Sequence, residues 1–324
     1  MNQTTIKKSP FQRAKMTLSV LVFILIAGCS QVEVNPESRQ RSGDENPIEV
    51  VTTTGMISDV VQEVGGEEVH VTGLMRPGVD PHLYKASQGD MAKLDQAELV
   101  FYNGLHLEGK MTEIFEKLER SRPTVAVSKN LDPSKLRSGA DTGGTEYEPH
   151  IWFNVRNWIS AAETVRDALI EYDPDHADIY RQNAEEYINQ LDELDEEVRT
   201  KIASIPEEGR VLVTAHDAFG YYGDAYDIKV MGLQGISTAA EYGSKDVAKL
   251  RDYLVENQIK AVFVESSIPT KSMEAVIAGA EEMGHQVIIG GELYSDSMGE
   301  PGSDADTYIQ MVRHNTDTIV EALK

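Results

Sequence analysis

Short apolar runs that alternate with amphipathic helical stretches predict an α/β fold, and one long stretch without glycine near the middle divides it into two lobes. The 324 residues agree with this, since a domain takes roughly 100 to 200 residues and each lobe can then close its own core. With 40% hydrophobic and 26% charged residues, the composition excludes global disorder and a fibrous repeat.

The first 28 residues stand apart from that fold. Lys7, Lys8, Arg13 and Lys15 come before any acidic residue, and 16–28 is an uncharged, largely apolar run. This is the pattern of a secretory signal peptide, and the run falls short of the roughly 20 residues of a membrane-spanning helix. Small residues at Ala27 and Gly28 directly precede Cys29, the single cysteine of the sequence. That arrangement resembles the lipobox of bacterial lipoproteins, which implies cleavage before Cys29 and lipidation of its thiol. One cysteine also excludes a disulfide framework and a Cys-rich zinc or iron–sulfur site. Removing residues 1–28 takes away four basic residues and no acidic one, so the formal charge of -24 becomes -28. An acidic surface repels a phosphate backbone, which argues against nucleic acid as a partner and leaves cations as the better match. Residues 29–46 are polar, with Pro36 and Gly43, and read as a flexible tether.

Residues 47–172 form the expected first lobe, with strands at 48–53, 69–73, 98–103 and 124–128 and helices at 56–64, 89–96 and 111–118. Residues 206–324 form the second, with strands at 210–215, 229–233, 260–265 and 286–289 and helices at 246–257, 271–283 and 304–323. Strands alternating with helices predict mostly parallel sheets covered on both faces. Between the lobes, residues 173–205 open with Asp173-Pro174, an acidic cap followed by proline at the first helical position. Ile179, Ala184, Tyr187, Ile188, Leu191, Leu194, Val198 and Ile202 then recur at three- and four-residue steps. A helix of about thirty residues is about 45 Å long, enough to serve as a backbone joining two lobes. A lone exposed helix or coiled coil is the alternative, disfavoured by the strands on both sides.

Four loop segments carry chemistry. PGVDPHLY holds His82 between residues that restrict the backbone, and EPHIWFN presents His150 after a proline. VLVTAHD places His216 directly after a buried strand, at the sheet edge where open α/β folds bind ligands. IIGGELYSD puts a carboxylate just beyond another strand. Three imidazoles and a carboxylate suit a divalent first-row metal, although the spacing by itself does not establish that they meet. His70, His106, His176, His285 and His314 receive no ligand role, with His106 notable for following a strand end.

Across residues 48–324 these segments resemble the metal-binding ABC-transporter solute-binding lipoproteins (cluster A-I, TroA-like or MntA-like in type), which carry manganese, zinc or iron. The stretches that carry the resemblance include PGVDPHLYKASQGD, NGLHLEGKM, RVLVTAHDAFGYYG, VMGLQGISTAAEYG, KAVFVESSIP and GGELYSDSMGEPG. The resemblance implies two α/β lobes joined by a single rigid helix, with the metal in the cleft between them. It places the metal ligands at His82, His150, His216 and Asp296. It further implies a monomer, lipid-anchored on the extracytoplasmic face of the membrane, at the cell surface or in the periplasm, that delivers one metal ion to a permease driven by a cytoplasmic ATPase.

Two departures from the family pattern matter. Glu148 and Asn154 stand where the second motif usually has aspartates, which bears on how His150 is oriented. His216 stands where many manganese-dedicated relatives carry Glu, which makes the donor set softer. The stretch 131–148 lacks the His-rich loop common in zinc-dedicated relatives, so Mn2+ is preferred over Zn2+ as cargo, even though zinc outcompetes manganese at a nitrogen-and-oxygen site. Glu265, at the end of a strand, is read either as a neighbour of the site or as a helix cap or surface residue. Two rival classes remain. A secreted metallohydrolase would need an open coordination position and a base, and HExxH is absent. A surface adhesin would not need the His cluster at all. No Walker A loop is present, so transport energy must come from a partner.

Overall fold

β-Branched runs assemble here as parallel strands, of which the inner ones are buried throughout most of their length. The computed structural model describes residues 41, 43, 46–139 and 147–324, all within one unit, Pro36–Lys324. The expected signal peptide, Cys29 and nearly all of the expected tether lie outside the described residues, as do 140–146. Among the described residues no helix is long and apolar enough to cross a membrane.

In the first lobe, β1 (Ile48–Thr52), β2 (Val69–Gly73), β3 (Leu99–Tyr102) and β4 (Thr124–Ala126) form a sheet in the order β2-β1-β3-β4, parallel throughout. The chain moves outward from β1 to β2 and then returns to the other side for β3. This reversal leaves a crevice at the C-terminal ends of β1 and β3, where such sheets bind ligands. The helices α1 (Gly55–Gly65), α2 (Gln88–Gln96) and α3 (Thr112–Leu118) follow successive strands. The α2 start is a reciprocal cap, in which Ser87 Oγ accepts from Asp90 N–H and the Asp90 carboxylate accepts from Ser87 N–H. A further helix, α4 (Val155–Tyr172), completes this lobe.

In the second lobe, β5 (Val211–His216) pairs in parallel with β6 (Lys229–Gln234), and β7 (Ala261–Glu265) pairs with β8 (Ile288–Leu293). β5 lies beside β7. The helices are α6 (Gly220–Tyr226), α7 (Ser244–Glu256), α8 (Lys271–Glu282) and α9 (Tyr308–Leu323). β8 continues past the expected 286–289 because Gly290 and Gly291 stay in the strand, with a register shift opposite Val262 and Phe263. A Cβ on Gly290 would come within 2.7 Å of the Ala322 methyl, so the strand passes that close to α9. α9 begins at Tyr308 rather than 304, where Thr307 Oγ1 accepts from Gln310 N–H.

α5 (Ala177–Ala203) follows a 3-10 turn over Pro174–His176. It packs against α1 and α4 of the first lobe and against α6 and α9 of the second, and so is common to both. Its buried face runs through Tyr180, Ala184, Tyr187, Leu191, Leu194, Val198 and Ile202, while Ile179 is 39% exposed. The apolar stripe therefore passes through Tyr180, whose hydroxyl donates to Asp173 at 2.8 Å. One core cluster runs without interruption from Val60 and Trp158 through Leu191 to Phe219 and Tyr308. Polar bonds cross the seam as well: Tyr308 O–H donates to the Trp152 carbonyl at 2.7 Å, and Trp152 Nε1–H donates to the Ser295 carbonyl at 3.0 Å.

Leu191 is fully buried at the centre of α5. Leu191→Ala should cost about 2–5 kcal/mol in urea unfolding, with both lobes lost in one transition. Half-buried Asp59 of α1 accepts from Tyr308 N–H, at the start of α9, at 3.1 Å. Burial, reinforced by Glu63, pushes its carboxyl from 3.8 up to about 7. The folded chain thus keeps a proton that the unfolded chain has already released, and stability falls as pH rises from about 4 to about 7. Asp59→Asn, measured by urea midpoints across that window without added metal, should flatten the slope.

Candidate metal centre

Two proline-framed loops and two strand ends bring four side chains to one point. The loop between β2 and α2 leaves the sheet with Leu74 N–H donating to the Thr52 carbonyl and Met75 N–H to the Thr53 carbonyl. It turns at Gly78, where φ is +74°, and His82 N–H donates to Asp80 Oδ1 at 2.8 Å. His150 lies between Pro149, whose carbonyl accepts from buried Asn103 Nδ2 at 2.9 Å, and the 3-10 turn Ile151–Phe153. His216 ends β5, Glu265 ends β7, and Asp296 follows β8.

One nitrogen or oxygen from each of His82, His150, His216 and Asp296 lies within 4.8 Å of the others, and all four residues are buried. The Nε2 atoms of His82 and His150 are 3.2 Å apart. Asp296 Oδ2 lies 3.4 Å from His216 Nε2 and 3.7 Å from His82 Nε2, while Oδ1 lies 3.4 Å from His150 Nε2. Glu265 accepts from His216 twice, from N–H at 2.8 Å and from Nδ1 at 2.5 Å. With Nδ1 directed at Glu265, His216 turns Nε2 inward. That nitrogen and both Asp296 oxygens are buried without a hydrogen-bond partner. Buried polar groups are rarely left so, and a buried cluster of imidazole nitrogens and carboxylate oxygens is suited to a cation.

Electrostatics follow from this crowding. Burial, together with the neighbouring imidazoles, holds His82 down at about 3 despite Asp296. Burial opposes the charge on His216 too, but Glu265 and Asp296 outweigh it and raise that imidazole well above its usual range. Asp296 is held well below the usual carboxylate range, burial being overcome by the surrounding imidazoles.

Glu265 is buried at the end of β7, bonded to His216 rather than to a helix start or to solvent. Glu148, in place of the family aspartate, keeps Oε1 3.4 Å from His150 Nδ1. Its other oxygen is 2.8 Å from Arg137 Nε, and Arg137 also pairs with Asp224 of the second lobe. Asn154 caps α4, its Oδ1 accepting from Arg156 N–H at 2.9 Å, a task that Asn performs as well as Asp. His106 is exposed on a left-handed loop, His285 Nε2–H donates to the Ile259 carbonyl at 2.6 Å, and His70, His176 and His314 pair with local carboxylates. Sequence reasoning missed Arg137 and Asp80. Asp80 carried a signal, as the residue before Pro81 in a motif already singled out.

Two α/β lobes on one long helix, with a buried acceptor cluster at the seam, define the class of two-lobed solute-binding proteins. The chain belongs to the family described as zinc-uptake complex component A, periplasmic (ZnuA), which it matches over residues 50–322. It is a transport binding protein of that family and not an enzyme. It is 48% identical over 309 residues to the manganese-binding lipoprotein MntA of Bacillus subtilis, covering 95% of this chain and 100% of that one. It is 47% identical over 286 residues to the zinc-binding protein TroA of Treponema pallidum, covering 88% and 92%. The solved structure of the periplasmic zinc-binding protein TroA from Treponema pallidum superposes with a TM-score of 0.83 at 48% identity, covering 86% of this chain and 99% of that one.

Glu265→Gln keeps the shape at β7 but weakens the acceptor that orients His216. Affinity for added Mn2+ or Zn2+ should fall about 10- to 100-fold in chelator competition, with far-ultraviolet circular dichroism unchanged.

Proposed function

We propose that this chain captures one divalent metal ion between its lobes, on His82, His150, His216 and Asp296, and delivers it to a membrane permease driven by a cytoplasmic ATPase. The observation that carries the reading is the buried group of four acceptors with three unpartnered atoms. All the donors come from protein and the pocket is closed, which serves capture rather than hydrolysis, where a position stays open for water. Residues 47–172 supply two ligands and residues 206–324 the other two, so binding draws the lobes together across α5. Cys29 anchors the mature chain by its lipid on the extracytoplasmic face, where it acts as a monomer.

Mn2+ is the proposed cargo. Both Asp296 oxygens face the imidazoles, so five donor atoms are within reach of one ion, more than tetrahedral zinc takes. The His-free stretch 131–148 supports the same choice. Zn2+ is the second reading, favoured by three imidazole nitrogens and by zinc's greater intrinsic affinity. The likeness to MntA and to TroA is nearly equal and leaves both in play.

The decisive experiment titrates metal-free residues 47–324 with Mn2+ and Zn2+ by calorimetry, separately and in competition. One equivalent should bind, and both His216→Ala and Asp296→Ala should abolish tight binding. Absence of stoichiometric binding of either ion would overturn the reading. In cells, Cys29→Ser should release the mature chain from the membrane fraction.

A further inference from the structure

The loop that carries His82 is tied to the second lobe by bonds that belong to no metal ligand's side chain. Asp80 Oδ1 accepts from His82 N–H at 2.8 Å, and Asp80 Oδ2 accepts from Thr238 Oγ1–H at 2.6 Å. Thr238 stands in the segment after β6, and that segment is folded around Gln234. The Gln234 Nε2 donates to the Thr238 carbonyl at 2.7 Å and to the Ala240 carbonyl at 2.6 Å. Gln234 is in turn the register partner of His216, and its carbonyl accepts from Asp217 N–H at 3.1 Å. A continuous path therefore runs from His216 through Gln234, Thr238 and Asp80 to the backbone of His82. Close by, Gly78 N–H donates to Ser297 Oγ at 3.0 Å, beside Asp296.

We propose that Asp80 is a positioning residue that, through Thr238, latches the two lobes over the bound ion and sets the rate at which the ion leaves. The proposal rests on the metal-binding reading above. The Thr238 leg spans the two lobes and must break when they part, whereas the His82 leg lies within one loop and survives. Separation thus leaves Asp80 Oδ2 to water and loosens the turn that aims His82.

Thr238→Val removes the donor at nearly constant volume and leaves Asp80 bonded to His82, while Thr238→Ser keeps the donor. The full chain loaded with Zn2+ is mixed in a stopped flow with excess colorimetric chelator, and association is measured separately. Thr238→Val should release Zn2+ about tenfold faster, the consequence of losing one hydrogen bond to a charged acceptor, with association unchanged. Thr238→Ser should behave as wild type, and Asp80→Ala with Thr238→Val should be no faster than Asp80→Ala alone. Wild-type release from Thr238→Val, equal acceleration by Val and Ser, or additive effects in the double variant would each overturn the latch. Failure of the wild type to bind Zn2+ would instead overturn the metal-binding reading, and the latch with it.

Discussion

Acceptors cannot share a dry pocket without something positive among them, and this constraint organises the molecule. Three imidazoles and one carboxylate meet where water is excluded, with His216 Nε2 and both Asp296 oxygens lacking any protein donor. Each imidazole must then turn the same nitrogen inward, which requires a partner behind it. Glu265 does this for His216, and Glu148 sits behind His150. The surrounding carboxylates would be costly in themselves. Arg137 beside Glu148 and the Thr238 hydroxyl on Asp80 offset part of that cost.

Holding such a pocket between two lobes demands a frame that does not flex at the wrong place. α5 supplies it by packing on helices from both sides within one continuous apolar core. His216 and Glu265 stand at the C-terminal ends of β5 and β7, while His82, His150 and Asp296 stand on loops. Rigid parts at the back and hydrogen-bonded loops at the front divide the work. The back defines where the lobes meet, and the front decides how firmly.

Much of this was legible in the sequence, for identifiable reasons. Buried parallel strands are short and strongly apolar, so their positions were found to within a few residues. The long helix announced itself by proline at the start, a glycine-free body and regular apolar spacing. Its exact stripe did not, because Ile179 and Tyr180 are adjacent and both apolar enough to fill a buried position; the Tyr180 hydroxyl bond to Asp173 makes the choice. α9 was expected four residues too early because an acidic residue at 304 looks like a helix start, whereas the cap is Thr307. At the site, the three histidines could be named from their strand-end and proline contexts. Their convergence with the carboxylate beyond β8 came only from family resemblance, since no local pattern encodes contacts between residues 82, 150, 216 and 296. Arg137 was beyond reach for the same reason: its partners Glu148 and Asp224 come from different lobes.

The indole of Trp152 has a further consequence. It stands edge-on to the His150 ring with centroids 5.3 Å apart, and its N–H crosses the seam to the Ser295 carbonyl, next to Asp296. The chain has two tryptophans, and the other, Trp158, is stacked on Tyr308 deeper in the core. One indole therefore touches the ligand set while the other is shielded from it. Trp152 is thus an intrinsic optical probe placed against the His150 ring, and Trp158 an internal reference placed away from it, with no dye attached.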